Sequence, residues 1–271
     1  MKRLNAIACS GCAALLLAGC GTGSIDSMDD GEGRSGETAE GIVNSNAMNP
    51  NAMNPNALNP SAMSASATTA LHDPGDAGAL SRQLLKYTVS CALSPSQSFS
   101  LTWTDAQGAV HNEVYSGLLG LETSWATTPL SVAGQGWVSS CLASRVNWYG
   151  VPVVISSRGM TDALATTADE RANYAKIEGA FYGNLFTATP AVYTCYDVEN
   201  VVSSRSWQRD CASGHVNADG SVSSCGMLQI LGSCADFCSS FSADRKYYPS
   251  CYRLSGHQGD AIGTVVTTAL P

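Results

Sequence analysis

Eight cysteines constrain this chain more than any other feature: Cys91, Cys141, Cys195, Cys211, Cys225, Cys234, Cys238 and Cys251. Three others, Cys9, Cys12 and Cys20, sit at the amino-terminal end, in or beside a segment built like a secretory signal. Lys2 and Arg3 supply its positive start, and an apolar run follows from Ala6 to Leu17. That run is shorter than the roughly 20 apolar residues that a transmembrane helix needs. Export places the remaining even set of cysteines in an oxidising compartment. An even set there predicts a disulfide framework, although eight cysteines allow 105 pairings. A zinc site would need differently spaced ligands. Cys234 and Cys238 form C-x3-C, with no matching Cys/His pair and no C-x2-C among the eight.

Leu17-Ala18-Gly19-Cys20 resembles the lipobox of bacterial lipoprotein precursors. The resemblance implies a signal peptide over 1–19, cleavage before Cys20, diacylglycerol on the Cys20 sulfur and a fatty acyl chain such as palmitate on the new amino terminus. Several chains, at ~0.8 kcal/mol per buried methylene, anchor a protein far more firmly than one does. Gly21 stands where an aspartate favours retention in the inner membrane, so the outer membrane is the expected address. The competing reading is an ordinary secretory signal with Cys20 a stray thiol.

Removing Lys2 and Arg3 leaves 12 basic against 22 acidic residues, a net charge of −10. Such a surface repels phosphate backbones, so nucleic acid is not an expected partner. From Gly21 to Glu40 the chain is mostly glycine, serine and acid, a composition without enough apolar surface to fold. The pentads Asn46-Ala-Met-Asn-Pro50, Asn51-Ala-Met-Asn-Pro55 and Asn56-Ala-Leu-Asn-Pro60 follow. A pentapeptide β-helix is disfavoured, because the prolines remove ladder donors and so few units make about one coil. Residues 20–75 are therefore expected to be a lipidated, disordered linker that holds the rest roughly 40 Å from the lipid.

Residues 76–271 are expected to form one disulfide-stapled α+β domain of about three helices with antiparallel hairpins. Asp76 can cap a helix whose apolar positions are Leu80, Leu84, Tyr87 and Cys91. Phe99, Leu101 and Trp103 alternate as a strand, Asp105–Gly108 turns, and residues 109–115 return; His111 reads as an ordinary polar strand residue. Ser131 can cap a second helix carrying Val138, Cys141, Leu142 and Val146, followed by a buried or edge strand over 151–155. Cys91 and Cys141 both fall on apolar helical stripes, which predicts that they pair, a bridge contributing ~3–4 kcal/mol in the chain-entropy account. Thr167-Ala-Asp-Glu170 is a capping box for a third helix reaching Tyr174 and Ile177 and broken at Glu178-Gly179. Gly183, in the alternating run that follows, suits close approach of another backbone.

Between Cys211 and Cys225, His215-Val-Asn-Ala-Asp219-Gly220 reads in two ways. One is a calcium loop with His215 in place of the first acid and Gly226 in place of the last. The preferred one is a hairpin turning at Asp219-Gly220 and stapled by Cys211–Cys225. Residues 192–196 and 262–269 read as strands, and Cys234 and Cys238 lie on a short turn or helix. The segments Tyr87–Cys91, Gly117–Leu121, Val146–Val153 and Glu178–Phe186 resemble stretches of uncharacterised exported proteins of myxobacteria. That resemblance implies one domain and an envelope location, and carries over no catalytic residue.

The sequence has no H-E-x-x-H, G-x-S-x-G, P-loop or dinucleotide fingerprint. An even cysteine set leaves no thiol for a Cys–His pair, His72 falls in the linker, and His257 sits in a Gly-rich loop. Asp169, Glu170 and Glu178 are the acids that an exported hydrolase of glycan or peptide would have to pair. The expectation is no catalytic residue, metal or cofactor. A binding or structural envelope module should meet an envelope protein or glycan through Trp125, Trp148 and Trp207, since exposed tryptophan favours recognition. The alternatives are the hydrolase and a calcium-dependent binder using Asp219. Thiol counting on the denatured, unreduced mature chain should find none of the eight cysteines free; any reactive thiol among them breaks the framework.

Overall fold

The computed structural model describes Val43–Asn46, Met48 and residues 65–271. The signal segment, Cys20 and the second and third pentads lie outside the described residues. In chain order the elements are β1 (Val43–Asn46), α1 (Ala65–His72), α2 (Asp76–Ala92), β2 (Ser98–Thr104), β3 (Val110–Ser116), α3 (Val132–Arg145) and β4 (Val153–Arg158). Then come α4 (Ala168–Asn173), β5 (Lys176–Asn184), β6 (Ala191–Tyr196), α5 (Val201–Ser206), β7 (His215–Val216), β8 (Val222–Ser223), β9 (Leu228–Ser233), α6 (Cys234–Phe237) and β10 (Val266–Leu270). The domain is α+β, and among the described residues no helix is long and apolar enough to cross a membrane.

Six strands form one sheet in the order β1-β4-β10-β5-β6-β9, antiparallel except for β6 with β9. β10 and β5 stand at its centre, and nearly every residue of both is buried. Successive side chains of a strand point to opposite faces. Phe181 accordingly joins the core under the helices with Val89, Val138, Leu142, Val192 and Val266. Its neighbours Ala180 and Tyr182 join a second core with Ile177, Cys195, Tyr248 and Cys251. Helix α3 lies across β5 and β10, α2 packs on α3, and the β2–β3 hairpin packs on α2.

Four disulfides staple these layers. Cys91–Cys141 joins α2 to α3, and Cys211–Cys225 encloses the β7–β8 hairpin, both as the pattern predicts. Cys195–Cys234 ties β6 to the start of α6, and Cys238–Cys251 ties the end of α6 to the carboxy-terminal loops. Two of the expected caps are present: Ser131 Oγ accepts from Gly134 N at 2.9 Å, and Thr167 Oγ1 accepts from Glu170 N at 3.1 Å. At α2 the expectation fails, since the cap residue is Gly75. Asp73 Oδ1 accepts from Gly75 N at 2.7 Å, while Asp76 lies in the first turn, where its charge suits the positive helix end.

The third helix is shorter than the periodicity suggests. α4 stops at Asn173, and Ile177, Glu178 and Gly179 belong to β5. Tertiary pairing wins here. Glu170 turns inward to accept from Ser156 Oγ at 2.6 Å instead of closing the capping box, and Lys176 onward is held between β10 and β6. Gly179 interrupts no element: a β-carbon there would lie 2.2 Å from Cys195 O, so glycine is what lets β6 approach. Gly183 serves the same purpose against Ala191, at a left-handed φ of 129°.

The domain's margin also lies earlier than residue 76. β1 pairs with β4 and turns what would be an edge strand into an interior one. Met48, centre of the first pentad, is wholly buried; its N–H donates to Arg145 O at 3.1 Å and its carbonyl accepts from Asn147 N at 3.0 Å. Helix α1 packs on α2, and Arg82 Nη1 donates to Leu71 O at 2.9 Å. One buried thioether inside a repetitive polar segment was invisible to a compositional reading. Met48→Ala should lower unfolding free energy by about 2–4 kcal/mol in urea titration, the usual cost of truncating a buried methionine; an unchanged midpoint would place Met48 outside the core.

Candidate functional site

Two turns bring the most distinctive surface of the domain together. The first follows α3. Asn147 is buried, its Oδ1 accepts from Tyr149 N at 2.8 Å, and its Nδ2 donates to Val151 O at 2.9 Å. This Asx turn, continued by Gly150 at φ 65°, turns Trp148 and Tyr149 outward, 38% and 41% exposed. The second turn follows α5. Trp207 ends that helix at 42% exposure, and Gln208 takes a left-handed φ of 56° that reverses the chain. Arg209 and Asp210 are thereby carried into the interior.

Arg209 is fully buried. Its Nη2 donates to Glu178 Oε2 at 2.9 Å and to Ser144 O at 3.0 Å, and its Nη1 donates to Val146 O at 2.6 Å. Thr268 Oγ1 donates to the same Glu178 oxygen at 2.8 Å. One guanidinium thus joins the two central strands to the carbonyl end of α3, where a cation is favoured.

Asp210, the next residue, is 2% exposed. Its Oδ2 accepts from Tyr149 OH at 3.0 Å and from His215 Nδ1 at 2.8 Å. The imidazole of His215 stacks on Trp148 with ring centres 4.3 Å apart and planes 11° apart, and Tyr149 meets it edge-on at 5.5 Å. Desolvation, reinforced by donation to Asp210, raises the Tyr149 phenol above its ordinary range, with Arg205 opposing from nearby. The Cys211–Cys225 bridge and the β7–β8 hairpin hold His215 in place. With Nδ1 committed to the carboxylate, Nε2 is the ring nitrogen left without a hydrogen-bond partner among the described residues. The assembly is a rigid aromatic platform with one fixed ring nitrogen, suited to stacking on a ring and making one hydrogen bond.

Of the three expected contact tryptophans, Trp148 and Trp207 are exposed, but Trp125 is 6% exposed and packs in the helical core. Its short 3-10 segment, Thr123–Ala126, tucks the indole inward, which no periodicity signalled. The acids considered for a hydrolase do not converge. Glu170 is bonded to Ser156 and Glu178 to Arg209 and Thr268, while Asp169 is exposed on α4. Asp219 turns the hairpin as preferred: its Oδ1 accepts from Ser221 N at 3.0 Å and Ser221 Oγ at 2.6 Å, bonds that lower its pKa. Two groups, Asp210/Cys211/Cys225 and Cys195/Cys238/Cys251, cluster at metal-like spacing, but their sulfurs are in disulfides and offer no thiolate.

His111 has more to do than a plain strand residue. It bonds Asp105 at 2.8 Å and stacks on Trp103, over which the Arg82 guanidinium also lies, so it locks the β2–β3 hairpin. His257 stacks on Tyr252 in its exposed loop, and His72, at the end of α1, bonds Thr102 O at 2.8 Å. Sequence reasoning missed Tyr149 and Asp210 and weighed His215 only as a poor calcium ligand. The adjacent Trp148-Tyr149-Gly150 and the Arg209-Asp210 pair before a cysteine were the available signals.

No protein-family model, curated protein or solved structure matches the chain. Arg209→Met should cost about 3–5 kcal/mol in chemical denaturation by leaving Glu178 buried without its partner. Adding Glu178→Gln should recover a large part of the loss; strictly additive effects would refute the coupling.

Proposed function

We propose that the chain is an envelope lipoprotein, anchored in the outer membrane through acylated Cys20, whose domain binds an envelope partner. The contact surface is formed by Trp148 and Tyr149 around His215. The observation that carries this reading is the exposed Trp148–Tyr149 pair packed on the half-buried His215 and held rigid by buried Asp210. Aromatic side chains fixed before contact lose little conformational entropy on binding, which is why they dominate recognition surfaces. A net charge of −10 favours glycan or protein over nucleic acid as the partner. The four disulfides suit an oxidising compartment, and the lipobox-like Leu17–Cys20 supplies the anchor.

The exported-hydrolase alternative draws on the same Asp210–His215 pair, because a carboxylate-fixed imidazole is a general base in many hydrolytic sites. Among the described residues no hydroxyl bonds to His215 Nε2, so the binding reading takes precedence. Cys20→Ser should move the protein from the membrane to the soluble fraction. Trp148→Ala should weaken binding to isolated cell-wall and outer-membrane material at least about tenfold at an unchanged melting temperature. Retention of Cys20→Ser in the membrane refutes the anchor; equal binding by Trp148→Ala refutes the surface.

A further inference from the structure

A second feature is concave and chemically unlike the aromatic platform. The loop after β4 and the loop at Asp244–Tyr247 border a cleft of about 510 Å³, within the range of small-ligand sites. Arg171, on α4, lines it. Its Nη1 donates to Thr166 O at 2.6 Å and to Thr166 Oγ1 at 3.1 Å, which fixes the guanidinium plane. Its Nε and Nη2 have no partner among the described residues and are not buried. Those two groups form the side-on edge that accepts a carboxylate through two parallel hydrogen bonds. Glu170, whose carboxyl senses the Arg171 charge, is committed to Ser156.

Asp162 lines the same cleft at the start of the 3-10 turn Asp162–Leu164. It is exposed, and its carboxylate has no hydrogen bond or ion pair among the described residues. Asp162 and Arg171 are not within ion-pair distance of each other. Arg245 and Asp244 also line the cleft and meet only loosely, at 3.9 Å, with both exposed. The lining also includes Met160, an apolar side chain 58% exposed.

We propose that this cleft binds a short peptide with free termini, its carboxylate on the Nε–Nη2 edge of Arg171, its ammonium on Asp162 and an apolar side chain on Met160. Opposite charges held in one cavity and not paired with each other are complementary to a zwitterion. A phosphate or other simple anion would meet the repulsion of Asp162 and Asp244, and a simple cation that of Arg171 and Arg245. The volume exceeds what a free amino acid fills and suits two or three residues.

The test is calorimetric titration of the full-length protein with leucyl-leucine, its N-acetyl derivative and its carboxy-terminal amide. The free dipeptide should bind saturably, and each capped form about tenfold more weakly. Asp162→Asn should weaken the free dipeptide by a similar factor and leave the N-acetyl form unchanged, because both changes remove the same contact. Asp162 is exposed and supports no packing, so this variant folds even if Arg171→Gln loosens the Thr166 loop. No saturation by about 10 mM dipeptide, equal binding of capped and free forms, or indifference to Asp162→Asn would each overturn the proposal.

Discussion

The buried ion pair of Arg209 with Glu178 is the constraint on which the rest of this domain depends. An ionised pair wholly out of water costs several kcal/mol per ion in desolvation, so it persists only where further hydrogen bonds complete it. Here Thr268 on β10 supplies one to the carboxylate, and Ser144 and Val146 at the end of α3 accept from the guanidinium. The pair therefore fixes where the two central strands sit beneath α3. Burial also lowers the Arg145 guanidinium, beside Arg209, to about 10, a sign of how little water reaches this region.

Position follows from that fixation. Arg209 can reach inward only because Gln208 adopts the left-handed region, and the same reversal sets Asp210 against Tyr149 and His215. The aromatic platform thus inherits its rigidity from the core rather than from its own surface contacts. The cleft around Arg171 is likewise held from within, through the hydrogen bonds that α4 makes to Thr166 and, by way of Glu170, to β4. Surfaces of both kinds, one flat and aromatic and one concave and charged, rest on buried acids and arginines that a hydrophobic pattern does not reveal.

The disulfides distribute the remaining restraint. Cys91–Cys141 joins the two long helices, while Cys195–Cys234 and Cys238–Cys251 lie in contact, 3.4 Å between Cys195 and Cys238 sulfurs, beneath loops with little regular structure. Residues 238–265 carry only isolated bridges and few repeating hydrogen bonds. For such a segment, limiting the unfolded chain is an effective source of stability.

The sequence by itself determined the local and pairwise features: the even cysteine set, the Cys91–Cys141 and Cys211–Cys225 pairs, the caps at Ser131 and Thr167, and the β2–β3 hairpin. Each of these is set by periodicity or by a side chain bonding its own backbone within a few residues. Only the tertiary structure decided that Glu178-Gly179 lies inside a central strand, that Met48 is core, that Trp125 is buried, and that Asp210 joins Tyr149 to His215. Those outcomes depend on partners up to about a hundred residues away, as Met48 does on Arg145 and Glu178 on Thr268. A residue buried on both faces of a sheet, or a charge completed by a distant strand, leaves no periodic trace in the chain, because its energy arises only once those strands meet.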